Sequence, residues 1–176
     1  MELKEILHVR RSVRKFEDRP VEREVVEALL NEAFTAPSSR NTRSTRYMVV
    51  EGRELMERIA EMRDYGSAFM KDCPMAILVA GDESATDLWV DNCSISATIL
   101  QLAVTDAGLG SCWVHVNGRP KLKAEPEGKS AEEYLREFLP IPAEWRPLCF
   151  IALGYPAQEV KPHSEKDDSD KVIWVK

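Results

Sequence analysis

Met75-Ala-Ile-Leu-Val-Ala is a run of apolar side chains closed by Pro74 and Gly81. Such a strand has no face to give to water, so it belongs inside a sheet that is covered on both sides. Leu148-Cys-Phe-Ile-Ala-Leu repeats the pattern near the other end of the chain. Tyr47-Met-Val-Val and Cys112-Trp-Val-His-Val supply two more strands. Helical spacing fills the intervals. Leu3, Ile6 and Leu7 predict a short helix ending near Val9. Val25, Val26, Leu29, Leu30 and Ala33 mark a second helix after Pro20. It stops around Ala36-Pro37, because proline disfavours a helical residue before it. Leu55, Ile59 and Met62 suggest a third, and Glu132 to Leu139 a short one after the polar loop Gly118–Ser130. Strands alternate with helices, which predicts an α+β or α/β domain with one central sheet.

The longest periodic segment, about Thr86 to Ala107, carries Leu88, Ile95, Ile99, Leu102 and Ala103 on more than one side. A helix apolar on several sides is buried in a domain or an interface. Gly108 and Gly110 close it. The tail from Lys161 is charged but ends in Val172-Ile-Trp-Val, which should dock on a sheet, in this chain or in a partner. No internal repeat, linker or low-complexity tract interrupts the chain. Its 176 residues suit a single domain with a sizeable core, needing neither disulfide nor metal.

Charge and cysteine usage exclude several classes. A net charge of −6 argues against a general nucleic-acid binder, which needs a basic face. No stretch reaches the roughly 18 apolar residues of a membrane span. Met1-Glu-Leu-Lys-Glu carries charge where a secretory signal needs an apolar run, so a cytoplasmic location is expected. Cys73, Cys93, Cys112 and Cys149 are far apart without a C-x-x-C pair, fitting neither a zinc site nor a disulfide framework. Buried free thiols are the expectation.

Three segments carry candidate chemistry. Arg10-Arg11-Ser12-x-Arg14 offers three guanidiniums and a hydroxyl within five residues, a set able to surround a phosphate. A solvated basic patch partnering the surplus acids is the competing reading. Ala36-Pro37-Ser38-Ser39-Arg40-Asn41 is a polar loop between helix and strand, suited to a polar ligand or to ordinary turn chemistry. Gly108-Leu-Gly-Ser-Cys-Trp lets a ligand approach the backbone, or simply stops a helix before a core strand. Arg40, Arg43 and Arg46 crowd one loop, either to steer anions or to pair with nearby acids.

Taken together, these segments resemble the FMN-dependent nitroreductase family over nearly the whole chain. Arg10-Arg-Ser-Val-Arg-Lys-Phe, Ala36-Pro-Ser-Ser-Arg-Asn, Gly108-Leu-Gly-Ser-Cys-Trp, Ser130-Ala-Glu-Glu-Tyr and Ile151-Ala-Leu-Gly-Tyr-Pro-Ala occur in the family's order. The resemblance implies an α+β fold, a mixed central sheet flanked by helices, in an intertwined homodimer with FMN at the subunit interface. It implies that Arg10, Arg11, Ser12 and Arg14 hold the FMN phosphate and ribityl chain. Pro37, Ser38, Ser39, Arg40 and Asn41 would close over the flavin, usually from the other subunit. The backbone of Trp113, Val114 and His115 would face the ring near its reactive nitrogen, and Lys161 and His163 would reach the phosphate. NADH or NADPH would reduce the flavin, and a small acceptor such as a nitroaromatic or quinone would take the electrons. Neither nucleic acid nor membrane is an expected partner. No amino acid is assigned as a catalytic acid or base, since flavin carries the chemistry. A dehalogenase-like or dehydrogenase-like member, or a non-catalytic flavin-binding module, is the alternative. Two departures stand out. Arg43, Ser44 and Thr45 stand where many relatives continue the loop with Gln or Arg and then Pro-Trp, so the Pro-Trp is missing, and His115 stands where many have Gly or Glu.

Overall fold

The computed structural model describes residues 1–164 and 167–175. The charged tail's Glu165, Lys166 and Lys176 therefore lie outside the described residues. The helices are α1 (Leu3–Val9), α2 (Arg23–Ala33), α3 (Arg53–Ala60), α4 (Trp89–Asp106) and α5 (Ala131–Arg136). The strands are β1 (Thr45–Glu51), β2 (Met75–Asp82), β3 (Gly110–His115) and β4 (Trp145–Gly154). They form one sheet in the order β1-β2-β4-β3, and neighbours pair antiparallel throughout. The parallel contribution is the bridge between Ser12 and Ser111 at the β3 edge. No helix among the described residues is long and apolar enough to cross a membrane.

The two strands with the long apolar runs, β2 and β4, are the central pair. Their side chains alternate between two cores, as strand geometry requires. Ala76, Leu78, Phe150 and Ala152 pack with Met56, Ile59 and Leu135 of α3 and α5 on one face. Ile77, Val79, Ile151 and Leu153 pack with Leu29 of α2 and Leu100 of α4 on the other. Pairing between β2 and β4 slips at Val79/Ala80, where Cys149 and Pro147 are the successive partners. Leu148 is the extra residue of a bulge, and its carbonyl turns out to accept from Val116 and Asn117 just after β3. Helix α5 starts with a capping box: the Ser130 hydroxyl accepts from the Glu133 N–H at 3.1 Å, and the Glu133 carboxylate accepts from the Ser130 N–H at 2.7 Å.

Helix α4 faces the sheet with Cys93, Ala97, Leu100 and Val104, at spacings of four, three and four. Ile99, Leu102 and Ala103 instead line an outward groove of about 630 Å³ with Ile6, Val25 and Leu29. The helix is thus apolar on two sides, only one of which this sheet covers. The terminal Val172, Ile173, Trp174 and Val175 are 55–93% exposed. Docking on this chain's own sheet, one of the two expectations for the tail, is not seen: no strand pairing involves those residues.

Candidate functional site

The chain leaves α1 at Arg10 and runs beside the start of β3. The Val13 N–H donates to the Ser111 carbonyl at 2.9 Å. This approach requires Gly110, because a Cβ there would sit 2.8 Å from the Val13 side chain. Arg11, Ser12 and Arg14 are exposed around that anchor, and Arg10 is half-buried. Arg11 donates to the Pro162 carbonyl at 3.2 Å, and Arg14 reaches the Ser12 carbonyl at 3.5 Å. His163 Nε2 donates to the Arg10 carbonyl at 2.7 Å, while its backbone N–H donates to His8 at 3.0 Å. The tail residues Lys161 and His163 therefore lie against the arginine segment, 150 positions away in sequence.

Among the described residues, no carboxylate pairs with these cations. The ion pairs among the described residues engage Arg19, Arg23, Arg46, Arg53, Arg136 and Arg146, and none engages Arg10, Arg11 or Arg14. Three guanidiniums without an ion pair among the described residues make a local positive surface in a chain of net charge −6. Beneath them lies Cys112. Burial pushes its thiol up, against the opposing pull of Arg14, a Ser12 hydrogen bond and Arg10.

Strand β3 is an edge strand, since β4 alone pairs along it. The Ser111 carbonyl points outward to Val13, and the two-residue period puts the Trp113 and His115 backbone on the same open edge. Val114 is buried in the opposite core. Trp113 and His115 share a face, their rings stacked with centroids 6.1 Å apart. Trp113 Nε1 donates to His115 Nδ1 at 3.3 Å, which fixes the neutral tautomer protonated at Nε2. Burial pulls the His115 pKa below its ordinary value, and the charges of Arg119 and Arg63 add to the effect.

The loop Pro37–Asn41 sits elsewhere, ahead of β1. Arg40, Asn41 and Arg43 hold φ of 50°, 54° and 47°, the left-handed region that costs non-glycine residues roughly 1 kcal/mol each. Asn92 of α4, a 2% exposed residue, pays for this geometry: its Oδ1 accepts from the Ser39 N–H at 2.8 Å and its Nδ2 donates to Ser44 Oγ at 2.9 Å. The Ser38 hydroxyl accepts from the Arg43 N–H at 3.0 Å. A buried hydrogen-bond network around Asn92 and Ser44 thus secures the loop. Ser38 and Ser39 are half-buried, and Pro37, Arg40 and Asn41 face outward. Arg46 is not available for steering anions, because it pairs with Asp82 at 3.4 Å and donates to the Arg43 carbonyl.

The structure brings Arg10, Arg11, Ser12, Arg14, Lys161 and His163 together, with Trp113–His115 on the adjoining edge. It does not bring Pro37–Asn41 to them. Ser111 stands opposite Leu153, whereas Thr45 lines up through Gly81 with Arg146. Seven residues along the strands and three strand spacings across put the two groups roughly 28 Å apart, at diagonal corners of the sheet. Sequence reasoning missed Asn92, although two amides, Asn92 and Gln101, inside the most apolar helix were a signal.

An α+β sheet protein with an open cationic edge is the class this geometry defines. The sequence matches the nitroreductase family model over residues 7–63 and 60–155, and the chain belongs to that family. It is 37% identical over 161 residues to a Methanothermobacter thermautotrophicus protein named "Putative NADH dehydrogenase/NAD(P)H nitroreductase", covering 90% of this chain and 79% of the relative. An Archaeoglobus fulgidus protein of the same name is 32% identical, covering 93% and 90%. An FMN-dependent nitroreductase structure from Clostridium difficile superposes with a TM-score of 0.89 at 34% identity, covering 96% of each chain.

Proposed function

We propose that this chain, acting as one domain, is an FMN-dependent oxidoreductase that uses NADH or NADPH to reduce a small acceptor such as a nitroaromatic or quinone. The observation that carries the reading is the set of uncommitted arginines beside the open β3 edge. FMN, when bound, supplies reversible hydride and electron transfer that no amino-acid side chain provides. The residues fit it: a phosphate matches three guanidiniums and the Ser12 hydroxyl by charge and by donor number. Arg10, Arg11, Ser12 and Arg14 hold the phosphate end, and Lys161 and His163 support it from the tail. The outward backbone of Trp113 and His115 would orient the ring edge and offer it backbone N–H donors. Val114 contributes by anchoring that strand in the core.

Pro37, Ser38, Ser39, Arg40 and Asn41 cover the ring from a second copy of the chain. The diagonal separation supports this, since one chain cannot close both groups on one mononucleotide. The uncovered apolar side of α4 and the exposed terminal Val172–Val175 support the homodimer as well. Purified protein should carry a yellow flavin spectrum that NADH or NADPH bleaches without oxygen. Colourless protein that takes up no FMN overturns the cofactor assignment. Bound flavin that neither nicotinamide reduces overturns the enzyme reading in favour of a binding module.

A further inference from the structure

Three cation-capable side chains gather where β3 ends, outside the phosphate cluster. Beyond His115, the chain turns back between Val116 and Arg119, whose N–H donates to the Val116 carbonyl at 3.1 Å. The segment after the turn is tied to the end of α3. The Asp64 N–H donates to the Lys121 carbonyl at 2.9 Å, and the Lys123 N–H donates to Asp64 Oδ1 at 3.0 Å. Those bonds bring the segment that carries Arg63 beside the turn that carries Arg119. Arg63 is only 9% exposed, lies with its guanidinium 5.0 Å from the Tyr65 ring, and has a buried Nε without a partner.

A buried guanidinium ordinarily has a carboxylate. Among the described residues, Arg63 and Arg119 have none within ion-pair distance. The nearby acids are engaged elsewhere: Asp64 by the Lys123 N–H, and Glu61 by the Tyr134 hydroxyl at 3.1 Å. Lys121 is also committed, donating to the Glu61 carbonyl at 2.8 Å. The electrostatics agree with a site short of negative charge. Burial lowers the His115 pKa and the charges of Arg119 and Arg63 add to it; burial also lowers the pKa of Arg63, against the opposing pull of Tyr65 and with a smaller push from Arg119.

We propose that Arg63, Arg119 and His115 form a subsite for the carboxylate of an anionic electron acceptor, next to the β3 edge. Arg63 and Arg119 donate to the carboxylate oxygens, and His115 Nε2–H adds a neutral donor. This separates two anionic recognition tasks in one molecule: the phosphate end at Arg10–Arg14, and the acceptor end at the far end of the same strand. The inference rests on the flavoenzyme reading only for what the bound carboxylate is attached to.

The test uses FMN-loaded protein and two isosteric probes, benzoate and benzamide. Binding is followed by the flavin spectrum and by the NMR signal of His115, assigned through His115→Gln. Benzoate should bind more tightly than benzamide and raise the His115 pKa. Arg119→Ala, an exposed turn position, should weaken benzoate roughly tenfold, the loss of one charge-assisted contact. Arg63→Met should do the same, with Arg63→Lys recovering part of the affinity. If Arg63→Met does not fold, Arg119→Ala and the His115 shift decide. In turnover, the preference for 4-nitrobenzoate over 4-nitrobenzamide should fall by a similar factor in Arg119→Ala. Equal binding of the two probes, or an unchanged benzoate affinity in Arg119→Ala, overturns the subsite and leaves the flavin reading standing. A His115 response to benzoate in protein that binds no FMN supports the subsite while sinking the flavin reading.

Discussion

Among the described residues, Arg14 donates only to the Ser12 carbonyl, at the long distance of 3.5 Å, which leaves most of its guanidinium donors open to a ligand. Arg14→Ala should lower FMN affinity by about ten- to more than a hundredfold, since a hydrogen bond to a charged group contributes roughly 1.5–3 kcal/mol. An unchanged thermal midpoint of the flavin-free protein would show that the fold is intact. Titration of the apoprotein with FMN checks the affinity, and a value within twofold of the parent removes this arginine from the site. The cysteines make the opposite case, of groups shielded from any chemistry. Burial raises the Cys73 thiol from 9.0 to about 12 and the Cys93 thiol to about 11. At pH 8 about one Cys93 side chain in a thousand is then a thiolate, so Ellman's reagent should react slowly with native protein and fully in denaturant. Because the folded state keeps these protons, their stabilising effect is complete below pH 9. It is lost as pH rises through 9 toward 11 and 12, while the unfolded chain ionises. Stability measured from pH 8 to 11 should fall. A flat profile with rapid native labelling would mean that the two thiols are open to water.

At the scale of elements, the loop before β1 depends on helix α4 through one side chain. Asn92→Ala leaves the Ser39 N–H without its acceptor and Ser44 without its donor, at a cost of about 1–3 kcal/mol. Three left-handed residues then lose the contact that holds them, and trypsin should cut faster after Arg40 and Arg43. Denaturant unfolding and limited proteolysis measure the two effects; parent-like stability with unchanged cleavage would detach the loop from Asn92. The helices and strands themselves were legible from periodicity, since Val26, Leu29 and Ala33 of α2 all face the core as their spacing indicates. The arginine and serine motifs were also legible, because each is contiguous in sequence. Relations between distant segments were not. Nothing local says that Asp82 neutralises Arg46, or that Asn92 binds a loop some fifty residues earlier. For α4, spacing revealed apolar sides but not which one the sheet would take. Cys93 and Ala97 claim it because small side chains let the helix approach β2 and β4 closely.

On the scale of the whole molecule, the chain presents surfaces that call for a second copy. The groove along α4, the exposed Val172–Val175 and the diagonal separation of the two proposed half-sites are the features that support the proposed two-fold dimer, which would meet each need twice. Burying that apolar area contributes about 25 cal/mol per Å², enough for a large contact to make the isolated folded monomer unstable. If Arg14 of one copy and Asn41 of the other serve the same flavin, two inactive variants should repair each other. Arg14→Ala and Asn41→Ala are unfolded together, refolded as mixed dimers, separated from the parent homodimers by differential tags, and assayed. Each mixed dimer contains one site with both lesions and one site with neither, so activity should return to about half that of the parent for a symmetric interface. If both residues served a flavin within their own chain, every site of the mixed dimer would carry one lesion and activity would stay at the level of the variants. No recovery in proven mixed dimers therefore sinks the shared site. A fully active monomer at micromolar concentration sinks the dimer itself.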